Sequence, residues 1–149
     1  MKKLLILNGP NLNLLGHREQ AIYGSTTFEE YLTELQKHFA QYVTIDYAQS
    51  NVEGELINIL HSAVGQYLGV ILNAGGYTHT SVALADGVGG VASMGLPTVE
   101  VHISNIMARE DFRHVSYLSP RCVGSIWGFG LESYRLAIEY YISKINEED

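Results

Sequence analysis

The chain has a single cysteine, Cys122, which excludes an internal disulfide and any cysteine-rich metal site. Positive charge is also scarce. Lys and Arg number 9 against 16 Asp and Glu, and the formal net charge of −7 is the wrong balance for a nucleic-acid surface. No apolar run approaches the length of a membrane helix. The opening MKKLLIL is stopped by Asn8-Gly9-Pro10, too early for a secretory signal. Repeats, linkers and low-complexity stretches are lacking. What is present is 149 residues, 46% apolar and 17% charged, which predict one soluble globular domain over residues 1–149 in the cytoplasm.

The few cations are unevenly placed. Lys2, Lys3, Lys37 and Lys144 fall beside the first apolar run or on predicted helices, whereas Arg18, Arg109, Arg113 and Arg121 fall in predicted loops. An acidic chain that keeps its arginines for loops suits the grip of a small anion.

Strand-like and helix-like patterns alternate along the chain. Leu4 to Leu7 reads as a buried strand, followed by a long loop from Asn8 to Ser25 whose Leu12, Leu14 and Leu15 need burial. Thr26 to Glu29 fits a capping box. Phe28, Tyr31, Leu32, Leu35, Phe39 and Tyr42 recur at helical spacing, so a helix runs to about Gln41. Val43 to Gln49 predicts strand two; Leu56 to Val64, helix two; Gly69 to Asn73, strand three. Thr78 to Ser81 caps a third helix, which Gly87, Gly89 and Gly90 weaken past Asp86. Thr98 to Ile103 and Cys122 to Trp127 give strands four and five, separated by a polar loop, and Leu131 to Ile145 gives a terminal amphipathic helix. This alternation predicts an α/β flavodoxin-like three-layer sandwich with a five-stranded parallel sheet in the order 2-1-3-4-5. Ligands in such folds bind beyond the carboxyl ends of the strands.

Three segments meet at that end: the loop after strand one, Asn73 to His79, and His102 to Arg113. Glu100 and His102 share one face of strand four, where a doubly buried strand should be apolar. Either they are a satisfied structural pair, or a carboxylate holds a histidine ready for proton transfer. His79 follows Gly75-Gly76-Tyr77-Thr78, where backbone N–H groups can meet an anion or simply cap the next helix. Tyr23 lies five residues from Arg18, close enough for the cation to favour a tyrosinate, although loop tyrosines are often packing residues. Cys122 reads as an inert core thiol, and His17, His38 and His61 as surface residues. Glu100 and His102 have no matching ligands for a metal site.

Taken together, LNGPNLNLLGHREQAIYGS, QSNVEGELI, LNAGGYTHTSVALAD, VEVHISN and AREDFRHVSYLSP closely resemble type II 3-dehydroquinate dehydratase over nearly the whole chain. The resemblance implies conversion of 3-dehydroquinate to 3-dehydroshikimate in the shikimate or quinate pathway, no cofactor or metal, and a homododecamer built as a tetramer of trimers. It implies Tyr23 as the base at C2, with Arg18 favouring its tyrosinate, and His102 as the acid, oriented by Glu100. Asn11 and Asn73 would hold the enolate side or an ordered water. The backbone at Ile103 and Ser104 would take the substrate carboxylate, with Gly75 and Gly76 in the substrate-binding turn. His79 and Arg113 would bind ring hydroxyls, Arg109 would lie near the lid, and Asp86 would reach a neighbouring subunit's site. The family commonly has proline where Gln20 stands and a second histidine where Val115 stands. The competing class is a non-catalytic flavodoxin-like module that binds a small anion. Such a module has no need of both Tyr23 and His102 across one site.

Overall fold

The structure, a computed structural model, describes residues 1–149 except Arg18, Gln20, Ile22, Tyr23 and Asp149. Five parallel strands form one sheet in the order β2-β1-β3-β4-β5. These are β1 (Lys3–Asn8), β2 (Thr44–Gln49), β3 (Gly69–Asn73), β4 (Thr98–His102) and β5 (Gly124–Trp127). Among the described residues four helices connect or follow them: α1 (Phe28–His38), α2 (Glu53–Ala63), α3 (Val82–Ser93) and α4 (Glu132–Glu148). The predicted flavodoxin-like sandwich is the observed fold.

Two apolar layers sandwich the sheet because its central strands bury both faces. Leu4, Ile6, Ile71, Val99 and Val101 face α1 and α4 through Phe28, Tyr31, Leu35, Tyr134, Ile138 and Tyr141. Leu5, Leu7, Val70 and Leu72 face α2 and α3 through Leu56, Leu60, Leu84 and Val88. Alternation in β4 therefore sends Val99 and Val101 to the first layer and Glu100 to the other side. No helix among the described residues is long and apolar enough to cross a membrane.

Several boundaries differ from the sequence-based expectation. Thr27, not Thr26, caps α1, accepting a bond from the Glu30 N–H at 3.2 Å, and the helix ends at His38 rather than near Gln41. Strand β5 begins at Gly124, because Ser119–Arg121 first forms a 3-10 turn. Leu12 and Leu15 are buried as expected, but Leu14 is 40% exposed. Helix α3 continues past Asp86 through all three glycines. Gly87 faces Ile57 and Leu60 of α2, and a Cβ on Gly89 would stand 2.5 Å from Arg121 Nη1. A Cβ at Gly87 would make only ordinary contact, and at Gly89 it would meet the flexible end of the Arg121 side chain, so the helix carries the roughly 1 kcal/mol that each glycine costs and is held by the burial of Leu84, Val88 and Val91.

Candidate active site

The carboxyl ends of β1, β3 and β4 enclose a cleft of about 260 Å³. Its walls include Pro10, Asn11, Leu12, Glu19, Asn73, Gly75, Gly76, His79, His102, Ile103, Ser104, Ile106, Arg109 and Arg113. Most of the predicted site residues are thus brought together. Asp86 is not among them: it lies on α3, well exposed, with its carboxylate 3.8 Å from Arg121. Tyr23 and Arg18 lie outside the described residues.

Close chain approach builds the cleft floor. The Gly9 N–H donates to the Asn73 carbonyl at 2.7 Å, and a Cβ on Gly9 would lie 2.7 Å from the Ala74 carbonyl oxygen. Gly75 has φ +58, a left-handed conformation suited to glycine. Asn11, also left-handed at φ 71, donates its N–H to Asn51 Oδ1 at 2.9 Å, which ties the first loop to the turn after β2.

Glu100 and His102 project from the same face of β4 and are 1% and 6% exposed. His102 Nε2 lies 2.8 Å from Glu100 Oε2. A carboxylate only accepts, so Nε2 carries the hydrogen. The Nδ1 edge of the ring has no hydrogen-bond partner among the described residues, and the ring lines the cleft. Burial pushes the Glu100 pKa up, but the bonds from His102, Ser125 and Ser116 outweigh it, so the carboxyl titrates below its ordinary range.

His79 stacks beside His102, with ring centroids 6.2 Å apart. Its Nδ1 donates to the Val115 carbonyl at 2.7 Å, which leaves Nε2 as an acceptor on the neutral ring. Burial lowers its pKa, as do the nearby His102 and Arg113, so neutrality is favoured despite the Val115 bond.

Asn73 is nearly buried and largely committed. Its Nδ2 donates to Tyr134 Oη at 2.9 Å, and its Oδ1 accepts the Gly75 N–H at 3.2 Å. One amide hydrogen and one carbonyl lone pair remain. The Gly75 N–H, one of those that could meet an anion or cap the next helix, is directed inside the turn. Tyr134 is wholly buried and donates onward to Asn8 Oδ1 at 2.8 Å, so α4 braces the ends of both β1 and β3.

Positive charge comes from Arg109 and Arg113. Arg113 Nε donates to Glu110 Oε2 at 3.1 Å, and Arg109 Nη1 donates to Ser104 Oγ at 3.4 Å. The paired register of β4 with β5 ends at His102–Trp127, just before Ile103 and Ser104 on the cleft wall. Cys122 is a partly buried thiol whose pKa burial pushes up to about 12, with the charge of Glu100 adding to the effect.

Sequence reasoning missed Ser116, Ser125, Tyr134 and Glu19. Ser125 was discoverable, because it sits opposite Glu100 in the β4–β5 register. Ser116 and Glu19 lie in irregular segments with no periodicity to mark them.

A parallel α/β sheet that buries a carboxylate–imidazole pair behind a polar, cationic cleft at the carboxyl ends of its strands has the architecture of a small-molecule enzyme. Residues 2–142 match the family described as "Dehydroquinase class II". A 3-dehydroquinate dehydratase of Bacillus pumilus is 52% identical over 97% of this chain and 97% of its own length. One from Fusobacterium nucleatum subsp. nucleatum is 48% identical over 97% of this chain and 99% of its own. The crystal structure of a type II dehydroquinase from Butyrivibrio crossotus superimposes with a TM-score of 0.89 at 39% identity, covering 94% of this chain and 97% of that one. The chain belongs to the class II dehydroquinase family, and is therefore a hydro-lyase.

Proposed function

We propose that this enzyme dehydrates 3-dehydroquinate to 3-dehydroshikimate, with Tyr23 as base and His102 as acid. The observation that carries the reading is His102, which lines a cleft with Arg109 and Arg113 and is hydrogen-bonded behind it to the buried Glu100. Removal of a proton beside a ketone generates an enolate, and loss of the neighbouring hydroxyl then requires a proton donor. Tyr23, favoured as tyrosinate by Arg18, takes the C2 proton. His102 gives a proton to the departing hydroxyl, and Glu100 stabilises the imidazolium before the transfer. Asn11 and the remaining Asn73 donor hold the enolate side or an ordered water. The backbone of Ile103 and Ser104 receives the substrate carboxylate, and the Gly75–Gly76 turn closes that wall. Neutral His79 accepts from one ring hydroxyl and Arg113 donates to another.

Asp86 serves the site of a neighbouring subunit in a homododecamer arranged as a tetramer of trimers. Its exposed position on α3, away from its own cleft, supports this role. Size measurement tests it: a fully active monomer contradicts the shared site.

The direct test of the activity is ultraviolet detection of the conjugated enone product from 3-dehydroquinate. The wild type should form it, and Tyr23→Phe should bind substrate yet lose nearly all turnover. Borohydride added with substrate should leave activity intact, since no lysine takes part. No product from the folded wild type would overturn the proposal.

A further inference from the structure

Glu100 has more partners than orienting one histidine requires. Ser125 Oγ, reaching across from β5, donates to Oε1 at 2.6 Å. Ser116 Oγ, from the loop before β5, donates to Oε2 at 2.7 Å, the oxygen that also accepts from His102. Three donors from three chain segments thus converge on one buried carboxylate.

The Ser116 hydroxyl has little freedom to turn. It accepts the N–H groups of Leu118 at 3.2 Å and Ser119 at 3.0 Å, which occupies its lone pairs and leaves its hydrogen for Glu100. Ser125 is backed by Ser119, with the two hydroxyl oxygens 3.2 Å apart. A protonated Glu100 would place its own hydrogen against one of these donors. The shell therefore suits the ionised carboxylate and opposes the neutral acid.

We infer that Ser116 and Ser125 are positioning residues that hold Glu100 ionised, and through it keep His102 donating from Nε2 with Nδ1 left to the reacting molecule. This rests on the reading of His102 as the acid in the dehydration of 3-dehydroquinate. Neither serine lines the cleft, so both act at one remove.

The other titratable groups that act on Glu100 are few among the described residues. His102 is on its own strand. His79 faces it from the turn after β3 and favours neutrality. Cys122, at the entry to β5, stays a thiol to about pH 12. Removal of a serine donor should thus be read most directly at Glu100 itself.

The experiment pairs a carboxyl titration with kinetics in Ser125→Ala, Ser125→Thr and the wild type. Ser125 is the better probe, because Ser116→Ala would also orphan two backbone N–H groups and risk misfolding. The Glu100 carboxyl, followed by carbon-13 NMR, should titrate about one to two pH units higher in Ser125→Ala, as expected for loss of one hydrogen bond to a charged group. The acidic limb of kcat for 3-dehydroquinate should move up with it while KM holds, and Ser125→Thr should restore both. An unmoved Glu100 midpoint overturns the inference whatever the activity. A moved midpoint with an unmoved kcat limb, in an active wild type, overturns the positioning role. If the wild type itself does not convert 3-dehydroquinate, the activity reading fails and the positioning role falls with it. The carboxyl titration still decides, on its own, whether the serines hold the charge.

Discussion

Two clefts in this molecule each adjoin a hydrogen-bonded carboxylate, and only one of these carboxylates bonds a histidine that lines the opening. At the open edge of β2, a groove of about 500 Å³ includes Asp46 and Tyr67 among its walls. Tyr67 Oη donates to Asp46 Oδ2 at 2.6 Å and Lys3 Nζ lies 3.2 Å from the same oxygen. The rim cleft is about half that volume and is lined by His102, which bonds to Glu100 behind it. Both carboxyls titrate below their ordinary range: Asp46 through the Tyr67 bond first, Glu100 through bonds that outweigh burial. The difference is exposure and what lies beyond the carboxylate. The Asp46 side chain is 39% exposed, and its partners end in water. Glu100 is 1% exposed and passes its charge to a histidine that lines the cleft. Size of cavity is a poor guide; a buried charge with a titratable partner facing the opening is a better one.

The largest expected effect separates the clefts outright. His102→Ala should lower kcat by about 10² to 10⁴, the usual range for loss of a general acid, with little change in KM. Steady-state kinetics on the folded variant check this. Glu100→Gln should cost less turnover, since an amide oxygen still accepts from Nε2 but the charge is gone.

Next in size is an effect on acid stability. The folded-state pKa of Glu100 is depressed. Its stabilisation is therefore fully present above the unfolded glutamate value of about 4.3, and is lost as pH falls through the lower folded value. Urea unfolding as a function of pH should show a steeper acid loss in the wild type than in Glu100→Gln. Equal slopes would mean that the buried carboxylate carries no net charge preference.

The smallest effect belongs to the edge groove. Asp46→Asn should change stability by no more than about 1 kcal/mol, given the exposure of the pair, and should leave kcat and KM unchanged. A large kinetic change there would erase the contrast between the two clefts.

How much was legible in the sequence follows the same division. Period-two alternation exposed Glu100 and His102, because a polar pair on a doubly buried strand violates the apolar pattern. Apolar runs and turn residues located β3 at Gly69–Asn73 without error. The support around the pair was not legible. Ser116 reaches Glu100 across 16 residues and Tyr134 reaches Asn8 across 126, and no local pattern encodes such separations. The helical glycines misled for the same reason: α3 is held by the burial of Leu84, Val88 and Val91 in a core layer that only the fold assembles.

The most direct test of the account separates the two proton transfers. In deuterium oxide, with 3-dehydroquinate, hydrogen exchange at C2 reports the base alone, whereas enone formation needs base and acid together. His102→Ala should still exchange the C2 hydrogen measurably faster than it forms product, because Tyr23 remains, and Tyr23→Phe should do neither. Full dehydration activity in His102→Ala would contradict the role assigned to the buried Glu100–His102 pair.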